Sequence, residues 1–145
     1  MYKHILIASD GSELAQKAVD QGLALAKALG AKALAVTVTE PLSMVAPGEV
    51  AITFPIDEYE KGAAATAAEI LSGVAAAAKA AGVACETLHM KDSYPAEGIV
   101  AAAEKQGCDL IVMASHGRRG LRRLVLGSQA NEVVTHSTIP VLICR

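Results

Sequence analysis

The chain alternates short stretches that are apolar throughout with longer segments whose apolar positions recur at helical spacing. Ile5-Leu6-Ile7-Ala8 is the first apolar run and fits a strand buried on both faces. Asp10-Gly11-Ser12-Glu13 breaks it. From Leu14 the pattern turns helical, with Leu14, Ala15, Ala18, Val19, Leu25, Ala26 and Leu29 on one face and Gly30 as the closing cap. Ala33 to Thr39 reads as a second strand. A stretch bearing Pro41, Pro47, Gly48 and Pro55 follows. It is expected to be a loop of about sixteen residues, long enough for a lid or a partly mobile connection. Asp57 is a good N-cap for a second helix running to about Ala81 and stopping at Gly82, and its alanine-rich stretches favour helix. Val83 to Met90 predicts a third strand and Lys91 to Tyr94 a turn. Pro95 sits at the first position of a helix that reaches about Gln106, before Gly107. Leu110 to Ala114 predicts the fourth strand, Ser128 to about Ser137 the fourth helix, and Val141 to Cys144, after Pro140, the fifth strand.

The resulting order, βαβαβαβαβ, predicts an α/β fold: a parallel sheet with right-handed crossovers and helices on both faces. Ligands of such sheets bind outside the strand C-terminal ends, where the strand order reverses. Two loops at those ends stand out, Ser9 to Ser12 after the first strand and Met113 to Ser128 after the fourth. They share a crevice if the first and fourth strands are neighbours. If the first and third are neighbours instead, the Lys91 to Tyr94 turn faces Asp10.

Length and composition narrow the reading. A chain of 145 residues suits one domain over 1–145, burying roughly two-thirds of the surface it exposes when unfolded. Aromatics are 3% and Trp is absent, so the core must pack small and branched side chains. The formal net charge of -2 argues against a general nucleic-acid or membrane binder. Cys85, Cys108 and Cys144 are widely spaced, with no C-x-x-C, and are expected to be reduced structural thiols. No metal pattern with His4, His89, His116 or His136 is visible. No signal peptide fits before Ile5, and no apolar run reaches the roughly 18 residues of a membrane span. A cytoplasmic protein is the expectation.

The cationic residues are unevenly placed. Arg118, Arg119, Arg122 and Arg123 fall within six residues. A phosphate cradle needs free backbone N–H groups, small residues and often a helix N-terminus. Gly117, Gly120 and Gly127-Ser128 supply the first two, and Ser128 stands at a predicted helix start, able to cap it or to donate to a phosphate. The same stretch also reads as an ordinary glycine-containing loop with a serine cap. A nucleic-acid patch is disfavoured by the missing aromatic platforms. Asp10 either opens a turn or caps the first helix, with Glu13 giving a capping-box-like pair, or presents its carboxylate to a base or ribose. His116 is more readily a hydrogen-bonding group than an acid or base. No catalytic triad or carboxylate pair is evident.

Across essentially the whole chain the sequence resembles the universal stress protein family. The resemblance is carried by Ile5 to Ser12, Cys108 to Gly117, Leu124 to Ser128 and Ile139 to Ile143. The nucleotide-binding branch of that family has a loop of the form G-x2-G-x9-G-[ST]. Here Gly117 is the second glycine, Arg118 to Leu126 are the nine intervening residues, and Gly127-Ser128 close it. Ala114 stands where the first glycine belongs, and its methyl narrows the room beside the phosphates unless the backbone compensates. Gln129 and Ala130 follow Ser128, and Ala130 lacks a hydroxyl that the family often offers.

The resemblance implies a Rossmann-like five-stranded sheet in the order 3-2-1-4-5. It implies an adenosine pocket at Ala8, Ser9, Asp10, Val38 and Met113 to Gly117, including Ala114 and His116. It implies phosphate contacts at Gly117, Arg118, Arg119, Gly127, Ser128 and Gln129. The ligand would be ATP, or ADP or AMP, with any Mg²⁺ held through phosphates and water. A homodimer through Val141 to Cys144 is also implied. The expected role is a stress-response sensor or regulator. The alternatives are a dimeric interaction module of the same family that binds no nucleotide, or a slow ATPase.

Overall fold

The computed structural model describes residues 1–46, 48–117 and 126–145, the Ala51 side chain excepted. The strands are β1 (His4–Ala8), β2 (Lys32–Val38), β3 (Cys85–Met90), β4 (Leu110–Ala114) and β5 (Val141–Cys144). They form one sheet in the order β3-β2-β1-β4-β5, and every neighbouring pair is parallel. The helices are α1 (Glu13–Leu29), α2 (Leu42–Val45), α3 (Glu49–Thr53), α4 (Ile56–Ala81), α5 (Pro95–Gln106) and α6 (Ser128–His136). The sheet is the one implied by the resemblance, and β1 lies between β2 and β4.

Period-two alternation divides the core. Ile5, Ile7, Ala33, Ala35, Leu110 and Val112 join residues of α1 and α4 on one face. Leu6, Ala8, Leu34, Val36, Ile111 and Met113 join residues of α5 and α6 on the other. Both faces are covered, which is why the central strands are apolar throughout rather than alternating.

Local chemistry fixes the helix ends. Gly30, Gly82 and Gly107 all end helices in the left-handed conformation, each donating its N–H back into the last turn. Two starts bear on the sequence expectations: Asp10 opens a turn, one of its readings, and does not cap α1, and Asp57 does not cap α4. Ser12, not Asp10, caps α1, its Oγ accepting from Ala15 N at 3.2 Å. Helix α4 begins at Ile56, one residue before Asp57, with Pro55 at the cap position and no side-chain cap bond. Asp57 and Glu58 instead lie in the first turn, where negative charge meets the positive end of the helix dipole.

The stretch expected to be a loop also differs, since two short helices, α2 and α3, occupy it. It is pinned at both ends. Leu42 is buried, and the Tyr59 hydroxyl of α4 donates to the Glu40 carbonyl. Short helices with few apolar anchors leave a weak periodic signal, which prolines obscure further.

Candidate functional site

The C-terminal ends of β1 and β4 form the centre of the site. Ser9 N donates to Val36 O at 3.0 Å, the last bond before the chain leaves the sheet. Gly11 adopts φ 81°, a left-handed value that favours glycine. Ser9 Oγ accepts from Gly11 N at 3.2 Å, and Asp10 Oδ1 accepts from Ser12 N at 3.0 Å. Asp10 thus shapes an Asx turn into α1, which supports the structural half of its sequence reading. The other carboxylate oxygen reaches across the crevice. A Cβ on Gly117 would lie 2.9 Å from Asp10 Oδ2. The loops after β1 and β4 therefore meet.

The second contact closes the loop after β4 on itself. Ser115 N donates to Cys144 O at 2.8 Å, and Ser115 O accepts from Gly127 N at 2.7 Å. A Cβ on Gly127 would stand 2.8 Å from Ser115 O and 3.2 Å from His116 Cα. Both are backbone atoms that cannot yield, so only glycine fits at 127. Arg118 and Arg119 lie outside the described residues, as do Gly120, Arg122 and Arg123.

The remaining sequence candidates divide by the face they occupy. Ala8, Val38 and Met113 belong to the α5–α6 side of the sheet. Val38 is half-buried, and a Cβ on Gly98 of α5 would come within 3.1 Å of its methyls. Ala114 packs into the cluster on the α1–α4 side. Among the described residues Asp92 is the only non-glycine with positive φ, so Ala114 turns without the conformation that demands glycine. Ser128 is the first residue of α6 and exposed, and the cap at Gly127 has no side-chain bond. Gln129 Oε1 accepts from Ala96 N at 3.1 Å, fastening the start of α5 to the start of α6. Ala130 is 2% exposed and part of the core, so a hydroxyl at that position would enter apolar packing.

His116 is buried, and its Nδ1 lies 3.0 Å from Ser115 Oγ. Its Nε2 is a buried nitrogen with no hydrogen-bond partner among the described residues. The resemblance placed Ser115 in the adenosine pocket only as part of the span Met113 to Gly117, and its contact with His116 had no separate signal in the sequence. A polar pair at the same end of the sheet was also missed. Thr39 Oγ1 and His89 Nε2 are 2.6 Å apart, and Thr39 O accepts from Ser93 N at 3.3 Å. Burial lowers the His89 pKa, and the charge of Lys91 adds to that.

The thiols are unsuited to nucleophilic work. Burial pushes Cys108 up to about 11, with Asp109 adding repulsion, and burial also raises Cys85 and Cys144. All three are free. Among the described residues no group of three His, Cys, Asp or Glu lies together as a metal cage, and no helix is long and apolar enough to cross a membrane.

The model of the universal stress protein family matches residues 1–145. Universal stress protein MJ0531 of Methanocaldococcus jannaschii is 35% identical over 146 residues, which cover all of this chain and 83% of that one. Among solved structures, protein MJ0577 of the same organism superposes with a TM-score of 0.84 at 26% identity, over 99% of this chain and 96% of that one. A universal stress protein in complex with cAMP superposes with a TM-score of 0.70 at 25% identity, over 99% and 98%.

Proposed function

The chain belongs to the universal stress protein family, and from that premise we propose that it binds an adenine nucleotide at the β1–β4 crevice. It would act as a regulator rather than a fast enzyme. The observation that carries the proposal is the approach of Gly117 to the Asp10 carboxylate across the crevice, within 2.9 Å of where a side chain would begin. Glycine at that approach lets the two loops come together with no side chain between them, and the carboxylate can accept hydrogen bonds from a ribose or base. Ala8, Ser9, Val38 and Met113 complete the adenosine side. Gly127 leaves room beside the helix start, and Ser128 and the first turn of α6 offer backbone donors to phosphates, as helix N-termini do. Arg118 and Arg119 would add charge. Gln129 contributes by joining α5 to α6. A family member solved with cAMP supports this ligand class, and ATP with Mg²⁺ held through phosphates and water is the form proposed. The protein would work as a cytoplasmic homodimer, pairing through β5.

Calorimetric titration with ATP tests the proposal. Wild type should release heat with one site per chain. Gly117→Val should weaken binding at least tenfold, because the added carbons displace the Asp10 carboxylate, and circular dichroism checks that the variant keeps the fold although the other carboxylate oxygen holds the turn into α1. Gly127→Val is the poorer probe, since its side chain would strike the Ser115 backbone and open the loop itself. No heat from the wild type would leave the interaction-module reading. Undiminished binding by a folded Gly117→Val would place the ligand elsewhere.

A further inference from the structure

The buried, unpartnered Nε2 of His116 needs an explanation, because leaving such a group unsatisfied is costly and marks a missing water, ion or ligand. Its tautomer follows from counting partners. Ser115 is 2% exposed, and the only partner of its Oγ among the described residues is His116 Nδ1, at 3.0 Å. If Nδ1 carried the hydrogen, both the serine O–H and Nε2 would be left unsatisfied. If the serine O–H donates to Nδ1, only Nε2–H is left. The second arrangement has one orphan in place of two.

The ring that carries that orphan lies against the residue that caps α6. The ring edge at Cδ2, the carbon bonded to Nε2, would be 3.3 Å from a Cβ on Gly127, the residue that caps α6. The imidazole therefore neighbours the start of a nine-residue helix, whose first-turn N–H groups have no partners within the helix. Donors gathered without an acceptor make a seat for an oxyanion.

Resting on the nucleotide-binding reading above, we infer that Ser115 and His116 form a phosphate-reading pair. Ser115 is the positioning residue: its hydroxyl holds Nδ1 and fixes the hydrogen on Nε2. His116 is the specificity-determining residue: its Nε2–H donates to a phosphate oxygen of the nucleotide and makes no contact with the adenosine. The backbone of Ser115, bonded to Cys144 O on one side and to Gly127 N on the other, holds the pair rigid. The pair therefore discriminates a nucleotide from its nucleoside even where the arginines contribute nothing.

Nitrogen NMR of the histidine rings in the full chain tests this, with AMP and adenosine as probes. The expected result is the Nε2–H tautomer in ligand-free protein, a shift of the Nε2 resonance on adding AMP, and none on adding adenosine. Ser115→Ala should turn the ring into a tautomer mixture. It should also weaken AMP about tenfold, the value of one charge-assisted hydrogen bond, and leave adenosine within twofold. His116→Phe should give the same split. An Nδ1–H tautomer in the wild type would overturn the inference, as would an Nε2 resonance indifferent to bound AMP. Equal losses of AMP and adenosine in Ser115→Ala would reduce the pair to a structural role. In those three cases nucleotide binding itself stands. Failure of the wild type to bind either probe removes the nucleotide reading and the inference together.

Discussion

Ala114 carries the main departure from the family's glycine loop, and its surroundings decide how much that matters. Its methyl lies with Val112 and Cys144 in the cluster beneath α1, not on the crevice side, and its φ is not left-handed. Restoring glycine should therefore gain nothing for the ligand. Ala114→Gly is expected to leave ATP affinity within twofold of wild type. It should lower stability by about 1–2 kcal/mol, through a lost buried methyl and the freer unfolded backbone. Calorimetry and urea denaturation measure the two effects, and a tenfold gain in affinity would show that the methyl does obstruct the phosphates. Two histidines make a separate prediction. Burial lowers the pKa of His4, aided by the charge of Lys32, and burial lowers that of His89, aided by Lys91. A depressed folded value means that the unfolded chain takes up protons first as the pH falls below about 6.5. The stability these groups support is full above that pH and is lost as the pH falls through their folded values. The melting temperature should drop between pH 7.5 and 5.5, and His4→Gln with His89→Gln should flatten the drop. An unchanged slope in the double variant would assign the effect elsewhere.

Elements were legible where one local rule acted alone. The apolar runs at Ile5 and Leu110 gave β1 and β4, Gly30, Gly82 and Gly107 marked three helix ends, and Pro95 marked the start of α5. Rules in competition were harder to resolve. Ser12 and Asp10 both suit a cap, and the contest is settled by geometry: Ser12 Oγ reaches Ala15 N while Asp10 turns to Ser12 N. The helices α2 and α3 are four and five residues long, too short for periodicity to reveal. The site divided in the same way. The glycine spacing was readable, but the bond between Gln129 and Ala96 and the contact of Ser115 with His116 needed three-dimensional placement. Packing between elements gives a further test at Gly22, in the middle of α1. A Cβ there would fall 2.8 Å from both Ile7 Cγ1 and Ile7 Cδ1, and Ile7 is fully buried, with little room to move. Alanine in a helix gains close to 1 kcal/mol over glycine, while overpacking costs ~1–3 kcal/mol. Packing should win, so Gly22→Ala is expected to destabilise by about 1 kcal/mol in urea. A net stabilisation would mean that α1 shifts away from the sheet at little cost.

For the whole molecule, the parallel sheet has two open edges that are unequally defended. On one, β3 is flanked by the 26-residue α4 and carries the charged Glu86. On the other, β5 has Leu142 exposed and Val141 and Ile143 half-buried against the α5–α6 core, with no charge among them. An apolar edge of this kind invites pairing with another chain, and it is the edge we propose for the homodimer. The register shows how to test that without disturbing the fold. Ile111 N donates to Pro140 O and Ser115 N to Cys144 O, so the backbone groups of even-numbered β5 residues point at β4. Those of Val141 and Ile143 must point outward, because strand backbones alternate. Proline at an outward-facing edge position removes only the exposed N–H and leaves the inner ladder whole. Ile143→Pro should thus convert a dimer to a folded monomer, read as a halved mass by light scattering with the circular dichroism spectrum retained. Leu142 tests the side-chain contribution separately, since at 39% exposure it can accept a lysine without burying the charge in the monomer. Leu142→Lys should raise the dimer dissociation constant at least tenfold if two copies of β5 meet. A dimer that survives both substitutions uses another surface, and the exposed Val50, Ile52, Phe54 and Ile56 would then be the next to replace.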